Sequence, residues 1–356
     1  LYKDLRKRTE EYFHLAGKWK RNFGHAEREQ KKIFITEARN LKKEAERTYS
    51  EIVEDVLFST RVIACTLVGV NHPRLRGLKF TTCFIDEAGQ ALEPASWIPI
   101  IKSNRVVFAG DHLQLPPTVK SYEAGEKGLK KTLFEKAIRE NKADILLNEQ
   151  YRMHSQIMAF SSKEFYEGIL KANENNANQK VFPNDHPVEF LDTAGTGFFE
   201  SQHPDTKSSF NTEEADLVFK HLETYKAQVL EVGYDLPESI GVISPYKAQV
   251  ELLRKLVDES NFDESFKKII TVNTIDGFQG QERDMIYISM VRSNETGEIG
   301  FLSDERRMNV ALTRAKRKLV VIGDSGTIAS KSRFYNRFLD FINEIEAYRS
   351  AFEFIY

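Results

Sequence analysis

The sequence has few cysteines, no long apolar run and almost no excess of one charge. Cys65 and Cys83, its two cysteines, each lie in an apolar, strand-like run, so we interpret both as small core residues and not as a disulfide or metal site. No apolar run approaches the roughly 18 residues of a membrane span, and the charged start at Leu1 has no signal-peptide pattern. The sequence therefore predicts a cytoplasmic protein without membrane contact, or a nuclear one in a eukaryote.

Net charge, composition and length indicate the broad class of protein. The formal net charge is −2, which excludes a binder that is basic throughout but leaves room for a local basic groove. Hydrophobic residues make up 41% and charged residues 29%, the balance of a globular protein and not of a disordered or fibrous one. A chain of 356 residues exceeds the usual size of one core, so we expect two domains of roughly 150 residues and an additional element.

Residues 1–57 are predicted to form an antiparallel hairpin of two helices. Apolar residues recur at spacings of three and four, which makes a narrow seam on each helix. A break falls around Asn22, Phe23 and Gly24. The seam residues are Tyr2, Leu5, Thr9, Tyr12, Ala16 and Trp19 in the first helix, and Phe34, Ala38, Leu41, Ala45, Tyr49, Ile52 and Val56 in the second.

From Arg61 onwards, short apolar runs alternate with helical stretches. Continuous apolar strands with intervening helices predict a parallel sheet covered on both faces, and thus the α/β class. The predicted strands are residues 62–68, 80–85, 106–109, 145–147, 241–243, 269–272, 285–290 and 319–322. We expect a loop at 171–185, a final helix from about Phe334, and two α/β units with their boundary near residues 150–160.

Two acids, Asp86 and Glu87, follow the predicted strand 80–85. The carboxyl end of a strand is where open α/β sheets place ligands. In a nucleotide hydrolase the first acid can hold Mg²⁺ through its water shell, while the second polarises the attacking water. The pair alone leaves the alternative of a solvated acidic turn open.

Two further segments carry polar residues next to predicted strands. Gln114, in the stretch 110–117, offers a neutral amide to a terminal phosphate or an attacking water, whereas His112 has no His or Cys partner at metal-ligand spacing. Arg152 is suited to reach a phosphate across a cleft, and the adjacent Tyr151 offers a face to a base. An ordinary surface arginine is the alternative for Arg152.

The second α/β unit contains two more candidate segments. Residues 271–282 follow a predicted strand and include small and glycine positions that permit close backbone approach. Residues 308–317 are predicted to form a helix with Arg314, Lys316 and Arg317 near its end. A helix dipole favours basic residues at that end in any case, so this segment taken alone also fits a purely structural role.

In this order, the segments resemble the motifs of superfamily 1 helicases, and specifically the branch that contains the nonsense-mediated-decay helicase, the Sen-type helicases and the immunoglobulin mu-binding helicases. The matching stretches are 86–89, 110–117, 150–153, 244–249, 276–282 and 309–316. The resemblance implies two tandem RecA-like domains with parallel sheets, the first incomplete, and makes the hairpin an insertion on the first domain. The implied limits are 1–57 for the hairpin, 58–155 for the rest of the first domain and 156–356 for the second.

The resemblance also implies a site for ATP and Mg²⁺ and a site for a nucleic-acid strand. Asp86 becomes the Mg²⁺ carboxylate, Glu87 the catalytic base and Gln114 the γ-phosphate sensor. Arg152 and Arg314 become two arginine fingers. The implied nucleotide-binding residues also include Tyr151 near the adenine, Glu282 near the ribose, and Gly280. The residues implied to contact the nucleic-acid strand are Thr66, Ser244, Pro245, Tyr246, Thr274, Arg292 and Asn309.

The family's Gly-x-x-x-x-Gly-Lys-Ser/Thr phosphate loop, which belongs upstream of the hairpin, has no counterpart here. Residues 125–132 have the composition but the wrong glycine spacing, and residues 16–19 end in Trp where a Mg²⁺-binding hydroxyl is required. We therefore expect this chain to be part of a longer motor. On its own it should neither bind ATP tightly nor hydrolyse it appreciably, because the loop supplies most of the phosphate contacts.

The leading functional hypothesis is an ATP-driven helicase or translocase on single-stranded RNA or DNA, acting as a monomer, with 5′-to-3′ movement implied by the resemblance. The alternative is a strand-binding module without ATPase activity. A metal-dependent nuclease ranks below both, since such sites need further converging carboxylates and a lysine, and the two arginines would have no role.

Overall fold

A computed structural model describes residues 1–18, 24–141 and 144–355. Trp19, Asn22 and Phe23, which belong to the predicted seam and break, lie outside these ranges. The chain divides into two compact units. The first consists of Leu1–Ile85 and Pro94–Val107, and the second of Asp86–Glu93 and Phe108–Tyr356.

The first unit begins with two long helices, α1 (Tyr2–Gly17) and α2 (His25–Ser59). The Tyr2 ring lies 5.3 Å from that of Tyr49, and the Tyr12 ring lies 5.9 Å from that of Phe34. Because the start of α1 meets the later part of α2, the two helices run antiparallel. The predicted helical hairpin is confirmed.

The predicted seam of α2 is buried over only part of its length. Ala38 and Leu41 are almost inaccessible, whereas Ile52 and Val56 are 46% and 55% exposed. The two helices contain 16 and 35 residues, which correspond to about 24 Å and about 52 Å at about 1.5 Å per residue. The shorter helix therefore leaves the C-terminal part of the longer one uncovered.

Two strands, β1 (Phe80–Ile85) and β2 (Ser103–Phe108), form a small sheet, and α3 (Glu93–Ile100) lies between them in sequence. Both strands were predicted, although β2 begins earlier than expected. The 3₁₀ helices Gly69–Asn71 and Pro73–Leu75 precede β1 in the first unit, and Ala88–Gln90 follows it in the second.

The predicted strand at residues 62–68 is wrong. Val62 and Val68 are 82% and 63% exposed, and the chain turns where Thr66 Oγ1 accepts the backbone N–H of Gly69 at 3.0 Å. A threonine that bonds to the backbone in this way favours a turn over a strand. Cys65, in the same stretch, is exposed and is not the core residue that we expected, whereas Cys83 is partly buried.

The second unit contains most of the regular structure. Its helices are α4 (Tyr122–Ala124), α5 (Leu133–Asn141), α6 (Ser155–Phe165), α7 (Glu174–Ala177), α8 (Thr212–Glu231), α9 (Lys247–Glu259), α10 (Glu264–Ile269), α11 (Glu305–Leu312), α12 (Ser325–Ile328), α13 (Arg333–Glu344) and α14 (Phe352–Ile355). Its strands are β3 (Glu149–Gln150), β4 (Lys171–Ala172), β5 (Val188–Asp192), β6 (Ser201–Gln202), β7 (Ser209–Phe210), β8 (Ile240–Ser244), β9 (Ile270–Thr274), β10 (Arg283–Ser289), β11 (Ala315–Gly323) and β12 (Tyr348–Ser350). Among the described residues, no helix has both the length and the apolar character needed to cross a membrane.

Six strands form one parallel sheet in the order β12-β5-β11-β10-β8-β9. Alternate residues of β11 enter two cores, Leu319 and Val321 on one face and Val320 and Ile322 on the other. Apolar residues of α6, α11 and α13 cover the first face, and those of α8, α9 and α10 cover the second. A parallel sheet with helices on both faces confirms the α/β class, and β8 to β11 lie where four strands were predicted.

The sequence did not predict β5, although it occupies an inner position of the sheet. Its Glu189 is buried, accepts a hydrogen bond from the fully buried Lys318, and lies 3.2 Å from His221 Nε2. Burial alone would raise the pKa of Glu189, but the hydrogen bond of His221 and the charge of Lys318 lower it to about 2. Two acids in five residues concealed the strand, because the pattern does not show that Glu189 has buried partners.

Two other expectations in this unit were wrong in part. At residues 145–147 the chain forms no strand, and Ile145 and Leu147 are 89% and 85% exposed. Backbone pairing with β4 begins beyond this apolar run, where Lys171 N–H donates to Asn148 O at 2.7 Å. The predicted loop at 171–185 contains β4 and the single turn α7.

Candidate nucleotide and strand sites

Asp86 and Glu87 directly follow β1, and both are exposed. Glu87 adopts a left-handed backbone conformation, with φ of 50°, which is uncommon for a residue with a side chain. Asp86 Oδ1 accepts the Glu87 N–H at 2.9 Å, and Glu87 Oε2 accepts a hydrogen bond from Gln90 Nε2 at 2.6 Å. The acidic pair is thus held in place while both carboxylates stay open to solvent.

Asp86 is the residue suited to hold Mg²⁺ here. In nucleotide sites, Mg²⁺ is commonly bound by one or two carboxylates together with water and substrate phosphates, and an exposed carboxylate after a strand meets this requirement. Within the described ranges, no group of three or more His, Cys, Asp or Glu side chains is placed to hold a metal ion.

The 86–89 segment packs closely against residues 109–111. Ala88 N–H donates to Ala109 O at 2.9 Å, and a Cβ added at Gly89 would lie 2.5 Å from Asp111 O. Only glycine permits this approach of two backbones. The contact fixes Glu87 relative to the segment that carries Gln114.

Asp111 orients Gln114. Its Oδ2 accepts hydrogen bonds from Gln114 Nε2 at 2.8 Å and from the Tyr166 hydroxyl at 2.5 Å, and its Oδ1 accepts the Leu113 N–H at 2.9 Å. Sequence reasoning assigned no role to Asp111 and overlooked Tyr166. Asp111 was detectable as part of the stretch 110–117, whereas no sequence signal marks Tyr166.

Arg152 and Glu282 form an ion pair. Arg152 Nε lies 2.5 Å from Glu282 Oε2, Arg152 Nη1 donates to Thr313 O at 3.1 Å, and Lys316 Nζ lies 3.1 Å from Glu282 Oε1. Burial alone would raise the pKa of Glu282, but the hydrogen bonds and charges of Arg152 and Lys316 together lower it. Tyr151, the expected adenine neighbour, is 65% exposed beside this pair.

Arg314 lies in the connection between α11 and β11, and not in a helix as predicted. The predicted helix 308–317 is wrong beyond Leu312, because Thr313 Oγ1 donates to Asn309 O at 2.8 Å where α11 ends and β11 begins at Ala315. Lys316 and Arg317 therefore belong to a strand. The alternative of basic residues placed at a helix end for its dipole does not apply to them.

Arg314 is 2% exposed, and each nitrogen of its guanidinium has a partner. Nε donates to Val310 O at 2.9 Å, Nη2 to Thr313 Oγ1 at 3.0 Å and Nη1 to Gln281 O at 3.4 Å. These bonds hold the side chain in one rotamer. Nη1 and Nη2 each keep a second N–H, so two nitrogens of this held guanidinium can still donate to a phosphate.

Arg314 lies in a cluster of charged residues. Burial, and next the positive charge of Arg152, lower its pKa to about 10, while the negative charges of Glu87 and Glu282 act in the opposite direction. Arg314 thus lies within electrostatic reach of three candidate nucleotide residues that are far apart in sequence: Glu87, Arg152 and Glu282.

The six-stranded sheet separates the candidates of the second unit. Glu282 and Arg314 precede β10 and β11, whose first residues Arg283 and Ala315 are paired, so both lie at the amino edge of the sheet. Gly280, with φ of 75°, lies in the turn before β10, where a side chain would be strained. Ser244 and Thr274 are paired at the other edge, where β8 and β9 end.

Tyr246 and Arg292 contact each other at this carboxyl edge. Tyr246 is 4% exposed, and its hydroxyl accepts hydrogen bonds from Arg292 Nη1 at 3.4 Å and from the Phe301 N–H at 3.3 Å. Arg292 Nε donates to Glu200 Oε2 at 2.8 Å, a partner that the sequence did not predict. Pro245 and Thr274 are partly buried, and Ser244 is fully buried.

Two of the residues predicted to contact the nucleic acid, Asn309 and Thr66, do not lie at the carboxyl edge. Asn309 is fully buried in α11, and its Nδ2 donates to Leu113 O and to the Tyr166 hydroxyl, both at 3.0 Å. It therefore lies beside Gln114. Thr66 belongs to the first unit, where it is exposed and bonded to Gly69.

Val291 stores backbone strain directly before Arg292. Its φ is 71°, an outlier for a β-branched residue, and such conformations cost about 1–3 kcal/mol. Glu214 Oε1 accepts the Val291 N–H at 2.9 Å and a hydrogen bond from Ser289 Oγ at 2.6 Å. Glu214 is fully buried, and no described residue bonds to its Oε2. Burial raises the pKa of Glu214 to about 7.

Glu214→Gln should remove one pH dependence of stability. Below about pH 4.5, Glu214 is protonated in the folded and unfolded chain, and between 4.5 and about 7 only the folded chain keeps the proton. The free energy of unfolding should fall as pH rises through this window, by at most about 1.4 kcal/mol per pH unit. We expect urea denaturation from pH 5 to 8 to show this slope in the wild type and a flatter profile in the variant. The exposed neighbour Glu213→Gln is the control, and a variant profile parallel to that of the wild type would contradict the assignment.

Two family models, each described as an AAA domain, match residues 3–122 and 129–326. The second match alone spans more than half of the 356 residues. The chain therefore belongs to the AAA-domain family.

Curated relatives narrow the assignment. The DNA polymerase alpha-associated DNA helicase A of Schizosaccharomyces pombe is 35% identical over 334 residues, which cover 89% of this chain and 48% of that protein. The DNA-binding protein SMUBP-2 of Mesocricetus auratus is 34% identical, over 99% of this chain and 35% of its own. The regulator of nonsense transcripts 1 homolog of Neurospora crassa is 34% identical, over 86% and 28%. This chain spans less than half of each relative. It is a superfamily 1 helicase chain of the nonsense-mediated-decay, Sen-type and immunoglobulin mu-binding branch, which confirms the resemblance.

Proposed function

We propose that the protein containing this chain is an ATP-dependent helicase or translocase that moves 5′-to-3′ along single-stranded RNA or DNA as a monomer. The observation that carries the proposal is that two arginines share neighbouring partners: Arg152 bonds to Glu282 and Thr313, and Arg314 bonds to Gln281 and Thr313. A surface that only binds nucleic acid has no need of two arginines held together in this way. Phosphoryl transfer needs positive charge and a proton acceptor in one place.

The roles follow from the position of each group. Glu87 takes the proton of the attacking water, and the bond from Gln90 holds its carboxylate in place. Gln114, oriented by Asp111, contacts the terminal phosphate or the water. Arg152 and Arg314 stabilise the charge that develops on the transferred phosphoryl group. Mg²⁺, held by Asp86 together with ATP, neutralises phosphate charge when bound.

Tyr151, Gly280 and Glu282 complete the proposed nucleotide site, with Tyr151 towards the adenine and Glu282 towards the ribose. The residues that we propose to contact the nucleic acid are Pro245, Tyr246, Thr274 and Arg292 at the carboxyl edge, the fully buried Ser244, and Thr66. Asn309 belongs to this set only if its present hydrogen bonds open. We retain the domain limits 1–57, 58–155 and 156–356 and a cytoplasmic or nuclear location as proposals.

The test is an ATPase assay of the full-length protein with and without single-stranded RNA and DNA. We expect hydrolysis that rises on adding at least one of the two strands. Strand binding without hydrolysis would favour the alternative, a binding module without ATPase activity. Comparing strands with a duplex at either end then tests the 5′-to-3′ direction.

A further inference from the structure

Tyr166 links two segments of the proposed nucleotide site. Its hydroxyl donates to Asp111 Oδ2 at 2.5 Å and accepts from Asn309 Nδ2 at 3.0 Å. A phenol has one proton to donate. That donor and one acceptor position are therefore used by residues adjacent to the proposed site.

The contact on one side leads to Gln114. Asp111 Oδ2 accepts from both Tyr166 and Gln114, so the direction of the Gln114 amide depends on the direction of the Asp111 carboxylate. Hydrogen bonds to an ionised group are stronger than those between neutral groups. Burial, and next the negative charge of Asp111, raise the pKa of Tyr166, so its hydroxyl keeps its proton at neutral pH.

The contact on the other side leads to Arg314. Asn309 lies in α11, and the next residue, Val310, accepts the Arg314 Nε–H at 2.9 Å. Asn309 Nδ2 also donates to Leu113 O at 3.0 Å, which joins α11 to the Gln114 segment. Tyr166 therefore lies between the proposed phosphate sensor and the helix next to the buried arginine finger.

The end of α6 fixes the position of Tyr166. Its N–H donates to Ser162 O at 3.0 Å, and the Gly168 N–H donates to the same oxygen at 2.8 Å. Gly168, with φ of 72°, allows the chain to turn away after the helix. The hydroxyl thus extends from a rigid helix end and not from a free loop.

We propose that Tyr166 is a positioning residue that aligns Gln114 with α11 and Arg314 by bonding to Asp111 and Asn309. The inference rests on the proposed function, because it assigns Tyr166 a part in hydrolysis. The inference predicts different effects on turnover and on binding. Loss of the hydroxyl should slow the chemical step and leave nucleotide and strand affinity unchanged.

The experiment compares Tyr166→Phe with Tyr348→Phe in the full-length protein. Tyr348 donates to Asp192 Oδ2 at 2.7 Å, so its substitution removes the same kind of bond away from the site. We expect Tyr166→Phe to lower strand-stimulated kcat about tenfold to a hundredfold, with KM for ATP and Kd for the strand within about twofold of the wild type. Tyr348→Phe should keep the wild-type kcat.

A double-mutant cycle tests the route through Gln114. If Tyr166 acts through Asp111 on Gln114, adding Tyr166→Phe to Gln114→Ala should lower kcat no further. Asn309→Ala, a second disruption of the same link, should also lower kcat without changing KM. Without nucleotide, Tyr166→Phe and Asn309→Ala should be non-additive in their urea midpoints, which reports the contact independently of activity.

Unchanged kcat in Tyr166→Phe, an effect that adds fully to that of Gln114→Ala, or a matching loss of strand affinity would each overturn the inference. A wild-type protein without strand-stimulated hydrolysis would instead overturn the proposed function. The two failures are therefore distinct.

Discussion

Replacing Glu87 with glutamine in the full-length protein should abolish ATP hydrolysis and leave nucleotide binding intact. The amide keeps the size of the side chain, and its oxygen can still accept the hydrogen bond from Gln90, but it cannot take up a proton. General-base catalysis contributes about 10² to 10⁴ in rate, so turnover should fall by at least about a hundredfold. Steady-state ATPase assays with a fluorescent-nucleotide titration measure both quantities.

The control is Glu123→Gln, which neutralises a glutamate that is 78% exposed and paired with Lys127. Its turnover should match that of the wild type. If Glu87→Gln hydrolysed ATP at the wild-type rate, Glu87 would not be the base. If it lost nucleotide affinity in parallel with turnover, Glu87 would be a binding residue instead.

Arg314→Ala should lose ATPase activity and unwinding but keep its affinity for single strands in the absence of nucleotide. An arginine finger contributes about 10³ to 10⁵ in rate. A contact to the strand backbone would act differently, since its loss weakens binding and lowers the salt dependence by about one unit of slope. Strand affinity measured across a salt series therefore separates the two roles.

The buried position of Arg314 requires a second variant and a matched control. Arg314→Lys keeps the charge but cannot replace the three bonds of the guanidinium, so it should also lose most hydrolysis. The control is the double variant Arg292→Gln, Glu200→Gln, which removes both charges of one partly buried pair together. It should weaken strand binding and flatten the salt series. An Arg314 variant that hydrolysed ATP normally and behaved like this control would refute the assignment.

Strands formed by apolar runs in the core could be predicted from the sequence. Apolar runs at the surface were wrongly predicted to be strands. β10 and β11 lie in the middle of the sheet, and their continuous apolar residues, 285–288 and 319–322, are almost inaccessible on both faces. The equally apolar run 145–147 is exposed. Hydrophobicity records only that a residue prefers a core, and a run of three apolar residues does not specify whether a partner strand is near.

Motif matching selected the candidate residues but did not reveal their neighbours. Glu282 and Arg152 are 130 residues apart in sequence, and their ion pair depends on the fold. Tyr166, Glu200 and Glu214 belong to no motif that we identified, because each acts through hydrogen bonds to residues distant in sequence, which leave no periodic pattern. Asn309 is the reverse case, a motif residue whose buried bonds place it beside Gln114.

The two edges of the large sheet have a mechanical consequence. Glu282 precedes β10 and Arg292 follows it, and the strand between them has seven residues, about 23 Å at about 3.3 Å per residue. No single hydrogen bond can span this distance and connect ATP hydrolysis at one edge to nucleic-acid binding at the other. On the proposed assignment, β10 is a rigid element that connects the two sites, because side chains pack against both of its faces. A force produced at the amino edge would reach the nucleic acid only if β10 moved as a whole. Substitutions that loosen the packing of its buried middle should therefore reduce translocation before they reduce the binding of ATP or of nucleic acid.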